Sequence, residues 1–218
     1  MKHVLISIAI GAILTAISYF VGIHYLWITE VNWLEVFSVF TAYACTYLCV
    51  QQSRNNYFFG IVSVAALSLL FYQAELFSSM ALNIYLFPTL VYGYFFWRPD
   101  DNTRPVTSIR DYSNLWVGSF AALVAATYGV VILVSSYFGA ALPFADSAIL
   151  VLSIAAQFLL DRKIKETWIV WIAVNIISIP VYISAGLPLV AFQYVFFLFN
   201  ALWGYYMWNK SQRSVAHA

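Results

Sequence analysis

The basic residues of this chain all fall on one side of a membrane once its apolar stretches are threaded through a bilayer. The sequence holds ten Lys and Arg residues, and they lie at its two ends or in breaks between apolar stretches. They are Lys2, Arg54, Arg98, Arg104, Arg110, Arg162, Lys163, Lys165, Lys210 and Arg213. Cytoplasmic loops carry an excess of Lys and Arg, so both termini are expected in the cytoplasm. An odd number of spans would scatter these residues over both faces.

The composition excludes a soluble fold. Apolar residues make up 63% of the 218 residues and charged residues only 9%, whereas a soluble domain carries about 25% charged residues. The net charge of +1 gives no reason to expect a nucleic-acid partner. Lys2 and the apolar run from Val4 imitate a signal peptide, but no small-residue cleavage site follows. We therefore expect a retained first helix in an integral membrane protein.

The apolar stretches predict eight transmembrane helices. A spanning helix needs roughly 17–25 mostly apolar residues. The predicted helices are Val4–Ile23, Leu34–Gln52, Asn56–Tyr72, Ser79–Trp97, Leu115–Phe138, Asp146–Leu160, Thr167–Ser184 and Pro188–Trp208. The long polar segment Arg98–Asn114 divides the chain.

Two parts of the chain resemble each other. Glu35–Trp97 overlays Asp146–Trp208 without a gap, at a constant offset of 111. Each part would hold three helices, and four helices separate equivalent positions, so the repeats are parallel. The predicted fold is an all-α membrane protein with a 3+1+3 parallel-repeat core and one extra N-terminal helix. A duplicated structural bundle without a solute path is the alternative.

This reading divides the chain into four parts. Residues 1–32 form an N-terminal transmembrane helix, and residues 33–97 form the first three-helix repeat. Residues 98–145 hold a cytoplasmic loop and the linking helix. Residues 146–218 hold the second three-helix repeat and a cytoplasmic tail.

The predicted membrane core contains no ionisable side chain. Such groups usually mark proton relays and ion coupling, so a proton-driven pump is disfavoured, while Na⁺ coupling through neutral groups stays open. Glu35 and Asp146 open the first helix of each repeat. They either compensate the helix dipole or attract a cation. The sequence has no phosphate-binding loop, zinc motif or nucleophile elbow, so neither an enzyme nor a cofactor or metal is expected.

Aromatic and amide side chains are the remaining candidates for recognising a solute. Trp168, Trp171 and Asn175 are spaced i, i+3, i+7 on one face of the seventh helix, and Ser178 and Tyr182 continue it. The alternatives are an interfacial aromatic belt for Trp168 and an interhelical clamp for Asn175. The other candidates, all expected within the membrane, are Asn83, Tyr85, Gln157, Gln193 and Asn200.

The repeat comparison favours a site in the second repeat. Trp171 is matched by Gly60, and Asn175 is matched by Val64. A packing role would not obviously need a large aromatic ring and an amide in one repeat alone. Aromatic faces with a few amides can hold a flat cationic ring through cation–π attraction, worth about 0.5–2 kcal/mol per contact.

These motifs resemble a known family. The stretch Ala156–Leu187, with its W-x-x-W-x-x-x-N pattern from Trp168 to Asn175, is similar to the signature region of the PnuC family of bacterial vitamin transporters. Glu75–Trp97 looks like the matching segment of the first repeat, and the resemblance covers about Trp33 to Trp208. It implies a SWEET-like fold, a multi-pass protein of the bacterial inner membrane, and a homotrimer surrounded by membrane lipid. It also implies facilitated diffusion of an unphosphorylated vitamin, which a cytoplasmic vitamin kinase then traps without stable binding.

The family transports nicotinamide riboside, thiamine or riboflavin. The segment Leu82-Asn83-Ile84-Tyr85 has an asparagine where nicotinamide riboside transporters often have a glutamine. It looks more like the thiamine branch, often called PnuT, so thiamine is the expected substrate. Nicotinamide riboside is the alternative, and riboflavin fits less well. Functions of other kinds are a sugar facilitator with a less aromatic site, and a non-transporting membrane sensor or scaffold.

Overall fold

The computed structural model describes residues 2–25, 32–73, 77–97, 105–137, 143–184 and 188–216. These residues form eight α-helices and one short 3-10 helix, with no β-strand among them. The α-helices are α1 (Lys2–His24), α2 (Trp33–Val50), α3 (Asn55–Gln73), α4 (Phe77–Phe96), α5 (Asn114–Tyr137), α6 (Pro143–Asp161), α7 (Thr167–Ser184) and α8 (Pro188–Ala216). The all-α prediction is therefore confirmed.

Two helices differ noticeably from their predicted bounds. Helix α6 begins at Pro143 rather than Asp146, because proline suits the first helical position, where no N–H is needed. Helix α8 continues to Ala216 rather than ending at Trp208. Its last part leaves the apolar stretch but contains Lys210, Gln212 and Arg213, which are good helix formers.

The helices have the length and composition of a multi-pass membrane protein. Four of them, α1, α2, α5 and α6, are long and apolar enough to cross a membrane. Shorter apolar helical stretches cover Asn55–Leu70, Leu82–Phe96 and Thr167–Val181. Among the described residues, the criterion of length and hydropathy thus supports four of the eight predicted spans outright.

The chain forms two compact units, Met1–Arg104 and Pro105–Ala218. In the first unit, α1 packs against α2, α2 against α3, and α3 against α4. In the second unit, α5 packs against α6, α6 against α7, and α7 against α8. Neighbours in sequence are therefore neighbours in space within each unit.

The turns after α2 and α6 have the same backbone geometry. Gln52 and Lys163, which are 111 positions apart, have φ values of 53° and 54°. This left-handed residue closes a Schellman turn, in which two N–H groups satisfy carbonyls left open by the helix end. The outer bond joins Ser53 N–H to the Leu48 carbonyl, and Ile164 N–H to the Leu159 carbonyl, at 3.0 Å in both turns. Both helices therefore end without an exposed carbonyl at these positions.

In each unit, an edge-to-face pair of aromatic rings joins two neighbouring helices. Tyr57 meets Trp97 edge to face at 5.1 Å, and Trp168 meets Trp208 edge to face at 5.4 Å. Each ring of the second pair lies 111 positions after the matching ring of the first pair. Tyr57 and Trp168 lie near the starts of α3 and α7, and their partners lie just after the end of α4 and in the C-terminal part of α8.

The small residues of α1 let it pack closely on α2. Its buried positions include Ser7, Gly11, Thr15, Ser18 and Gly22, all on one side of the helix. A Cβ atom on Gly11 would lie 3.0 Å from the Phe40 carbonyl oxygen. The Ser18 and Tyr43 hydroxyls are hydrogen-bonded across the pair at 3.0 Å. Close backbone approach of this kind is how helices associate in lipid, where apolar surfaces gain nothing by leaving the tails.

Gly204 allows the Trp168 ring to lie close to the backbone of α8. A Cβ atom there would lie 2.6–2.7 Å from the rigid ring of Trp168. We expect Gly204→Ala to displace that ring and to lower the free energy of unfolding by about 1–3 kcal/mol, as overpacking does. Thermal unfolding in detergent measures the change. Gly118→Ala on α5 is the matched control, since a Cβ atom there meets nothing within 4 Å; equal melting temperatures for the two variants would contradict the prediction.

Candidate functional site

The α7 stripe, Trp168, Trp171, Asn175, Ser178 and Tyr182, lies on one face of the helix, and the described side chains are largely buried. Trp168 is 3% exposed, Asn175 is 2% exposed, and Ser178 is fully buried. Trp171 is half-buried and packs against a core of Ile149, Val174 and Val181. The side chain of Tyr182 lies outside the described part of the chain. The predicted face of the seventh helix is thus directed into protein rather than toward lipid.

Two polar atoms of the α7 stripe are buried without a hydrogen bond among the described residues. They are the Trp168 Nε1 and the Ser178 Oγ. Asn175 is 2% exposed, and no hydrogen bond to its amide is seen in the described part of the chain. Leaving a polar atom buried and unpaired costs about 1–3 kcal/mol. The stripe therefore suits a polar solute that completes these hydrogen bonds.

A proline in α7 adds an acceptor to the same region. Pro180 lies inside the helix and has no N–H to donate to the Ile176 carbonyl, one turn earlier. Transmembrane helices tolerate such breaks where other groups satisfy the freed carbonyl. Asn175 lies about 12 Å along the helix from Thr167 at a rise of 1.5 Å per residue. The carbonyl that Pro180 leaves without a helical donor, that of Ile176, therefore lies next to Asn175.

Trp168 is a packing residue with a spare donor. Its ring lies against Gly204 and meets Trp208 edge to face. A ring of an interfacial belt would face lipid headgroups, whereas this ring is buried between α7 and α8.

The other candidates of the second unit lie on the neighbouring helices. On α6, Gln157 is 7% exposed, and its Nε2 donates a hydrogen bond to Asp161 Oδ1 at 2.8 Å. On α8, Gln193 and Asn200 are both half-buried. Helices α6 and α8 both pack against α7, so these amides share one helix group with the α7 stripe.

The two candidates of the first unit have different environments. Asn83 is buried, whereas Tyr85 is 47% exposed on the surface of the chain. Side chains two positions apart on a helix point about 200° apart, so Asn83 and Tyr85 do not share a face of α4. A role for either residue in binding the solute stays a prediction.

Two acidic residues have roles that the sequence analysis did not identify. Asp161 binds Gln157, and its signal was the i, i+4 spacing of an amide and an acid on one helix. Glu166 accepts hydrogen bonds from the Ser108 hydroxyl at 2.7 Å and from the Ile109 N–H at 2.9 Å. It thereby anchors the segment before α5 to the start of α7. No local sequence pattern predicts the contact of Glu166 with Ser108 and Ile109, because these residues are far apart in the sequence.

Comparison with known proteins gives the family. A family model described as the nicotinamide mononucleotide transporter matches residues 32–210. The chain belongs to this family.

Individual relatives carry more specific names. The chain is 31% identical over 193 residues to the nicotinamide riboside transporter PnuC of Neisseria mucosa, covering 82% of this chain and 73% of the relative. It is 25% identical over 210 residues to the protein of that name from Escherichia coli, covering 84% and 88%. The crystal structure of a vitamin B3 transporter PnuC superposes with a TM-score of 0.74 at 24% identity, covering 98% of this chain and 97% of that one.

These comparisons confirm the resemblance to the PnuC family and correct the expected substrate. A transporter rather than an enzyme is confirmed at the level of the family. The preference for thiamine and the PnuT branch was wrong, because the matching relatives are named nicotinamide riboside transporters. The error came from Asn83 and its neighbours, a single short segment of α4 that the rest of the chain did not support.

We expect Asn175→Leu to weaken vitamin binding while leaving the protein at least as stable. Replacing an unpaired buried amide by an apolar group of similar size removes a desolvation cost, but it also removes a partner for the solute. Calorimetric titration of purified protein measures the affinity, and thermal unfolding measures the stability.

The control for this variant is a buried polar group that has a partner. Ser63 donates to the Ser38 carbonyl at 3.2 Å between α3 and α2, next to the position that matches Asn175. Ser63→Ala should lower stability by about 1 kcal/mol and leave the affinity unchanged. If Asn175→Leu instead lost stability and kept its affinity, Asn175 would be an interhelical clamp.

Proposed function

We propose that this protein takes up unphosphorylated nicotinamide riboside by facilitated diffusion. The observation that carries the proposal is the α7 stripe, where Trp171 shares one helix face with the buried, unpaired Trp168 Nε1 and Ser178 Oγ and with the buried Asn175. The names of the relatives support the choice of solute. The proposed site consists of Trp168, Trp171, Asn175 and Ser178, with Gln157, Gln193 and Asn200 from the adjoining helices.

The chemistry of the solute matches these groups. Nicotinamide riboside has a flat pyridinium cation, and an indole face such as that of Trp171 attracts a cationic ring. Its carboxamide and ribose hydroxyls can each donate and accept hydrogen bonds. Asn175 and Ser178 would exchange hydrogen bonds with them, and Trp168 Nε1 would donate one. Binding would then satisfy groups that otherwise remain buried and unpaired.

A charge argument favours the riboside over its phosphorylated form. Buried phosphates need Lys, Arg or clustered N–H donors. The basic residues nearest to the α7 stripe are Arg162, Lys163 and Lys165, all in the turn before α7. No Lys or Arg lies within α7 itself. A phosphate at the level of Asn175 would therefore lack a counter-charge, and phosphorylation by a cytoplasmic kinase would trap the solute after entry.

The placement of the acidic residues favours uncoupled transport. Glu35 and Asp146 lie in the first turns of α2 and α6, and Asp161 is the last residue of α6. A proton relay needs ionisable groups along the path, and the described part of α7 carries none. The solute would then move down its own gradient.

The core is proposed to be a 3+1+3 parallel repeat. Three features recur at an offset of 111: the left-handed residues Gln52 and Lys163, the edge-to-face aromatic pairs, and a basic residue that donates to the last helix of its unit. Arg54 Nε donates to the Tyr94 carbonyl at 2.6 Å, and Lys165 Nζ donates to Asn209 Oδ1 at 2.8 Å. Repeated turn geometry at repeated positions is the mark of a duplicated three-helix unit.

Uptake into liposomes tests the proposed function. Wild-type protein should admit labelled nicotinamide riboside down its gradient, and dissipating a proton or sodium gradient should leave the rate unchanged. Unlabelled nicotinamide riboside should compete, while nicotinamide mononucleotide and thiamine should compete at least tenfold less well. Empty liposomes and the Trp171→Ala variant are the controls. A rate that follows an imposed ion gradient, or better competition by the mononucleotide, would show the proposal to be wrong.

Orientation and assembly are separate proposals. The one-sided basic residues support cytoplasmic termini in a bacterial inner membrane. A reporter enzyme that is active only in the cytoplasm should therefore be active when it is fused after α8. Helix α5 has no buried residue among those described, so lipid or another copy must cover it. We propose a homotrimer. Native mass spectrometry should give three chains of 24.7 kDa, and a monomeric mass would contradict this.

A further inference from the structure

Gln157 and Asp161 form a buried polar pair at the C-terminal end of α6. Gln157 is 7% exposed and Asp161 is 3% exposed. The Gln157 Nε2 donates to Asp161 Oδ1 at 2.8 Å, between positions i and i+4 of the helix. Asp161 is an acid buried inside the protein, which is rare for this residue type unless the carboxylate is paired.

The carboxylate fixes which way the amide faces. An ionised aspartate only accepts hydrogen bonds, whereas a glutamine amide has a donating and an accepting end. Gln157 must therefore direct its NH₂ group toward Asp161 and present its Oε1 on the other side. No hydrogen bond to this Oε1 is seen among the described residues. The pair thus offers a solute one acceptor of fixed orientation.

The contact between α6 and α7 places this acceptor level with the first residues of the α7 stripe. Thr167 Oγ1 donates to the Ala156 carbonyl at 2.7 Å, which sets the start of α7 beside the residue that precedes Gln157. Trp171 lies about 6 Å and Asn175 about 12 Å further along α7 at 1.5 Å per residue. A solute that reaches from Asn175 toward the start of α7 would therefore approach the level of Gln157.

The three-helix architecture does not require the pair. The positions that match Gln157 and Asp161 are Thr46 and Val50. Thr46 donates to the Tyr43 carbonyl of its own helix, and Val50 is buried. The turn after α2 nevertheless closes with the same left-handed geometry as the turn after α6. The first unit thus forms the same turn without a glutamine and an aspartate at these positions, which suggests that the pair has a role in recognition.

We propose that Asp161 is a positioning residue that makes the protein select a carboxamide over a carboxylate. Held by Asp161, Gln157 Oε1 accepts a hydrogen bond from the carboxamide NH₂ of the solute. The analogue with a carboxylate in that position has no N–H to give, and its oxygens face the Oε1 lone pairs. This inference rests on the proposed function, since it names how the same site recognises its solute.

The test compares uptake of nicotinamide riboside with uptake of its carboxylate analogue in liposomes. Wild-type protein should prefer the carboxamide. Asp161→Asn lets the Gln157 amide turn over and offer its NH₂ group, so the ratio of the two rates should fall at least tenfold. Asp161→Glu keeps a carboxylate and should retain most of the preference. A merely structural role for Asp161 would lower both rates together and leave the ratio unchanged.

Two further variants complete the design. Gln157→Leu removes the acceptor but keeps the charge of Asp161, and it should also abolish the preference. If Gln157→Leu kept the preference, the charge of Asp161 alone would be responsible and the proposal would be wrong. Glu166→Gln removes another carboxylate of the same turn, one that binds Ser108 and Ile109, and it should leave the ratio at the wild-type value.

The possible failures are distinguishable. Absence of nicotinamide riboside uptake by the wild-type protein would overturn the proposed function itself. Normal wild-type uptake, with an unchanged ratio in Asp161→Asn, would overturn only the role of Asp161. If Asp161→Asn fails to fold, the ratio in Gln157→Leu decides the question.

Discussion

The hydrocarbon interior of a bilayer cannot form hydrogen bonds, and this constraint governs the whole structure. Every backbone and side-chain polar group at that depth must find a partner inside the protein. Within α2, the Ser38 and Thr41 hydroxyls do this by donating to the Leu34 and Phe37 carbonyls of the preceding turn. The Trp168 Nε1 and Ser178 Oγ are two of the few buried side-chain atoms in the described residues that have no such partner. In the proposed function, a polar solute supplies the missing hydrogen bonds.

Trp168 has a packing role and a proposed role in recognition. Trp168 fills the space above Gly204 and braces Trp208, so its ring holds α7 against α8. The same ring keeps a buried N–H without a partner. A change at this position would therefore disturb both the contact between α7 and α8 and a donor of the proposed site.

Sequence reasoning succeeded where the physics is local and periodic. Apolar runs fixed the helices closely, and the spacing of Trp168, Trp171 and Asn175 predicted a common buried face, because both depend on neighbouring residues. It missed the pairing of Asp161 with Gln157, the contact of Gly204 with Trp168, and the anchoring of Ser108 by Glu166. The last two contacts join residues far apart in the chain. The substrate was misjudged because one short segment around Asn83 does not define a site built from several helices.

The two copies of the proposed repeat separate packing from the proposed recognition of the solute. They share turn geometry, an aromatic pair and a basic residue, which are features that hold three helices together. They differ at Trp171 and Asn175, where the first copy has Gly60 and Val64, and at Gln157 and Asp161, where it has Thr46 and Val50. The first copy folds with these residues, so the three-helix packing does not depend on the side chains of the proposed site. Those side chains can therefore change in one copy while the contacts that stabilise both copies remain intact.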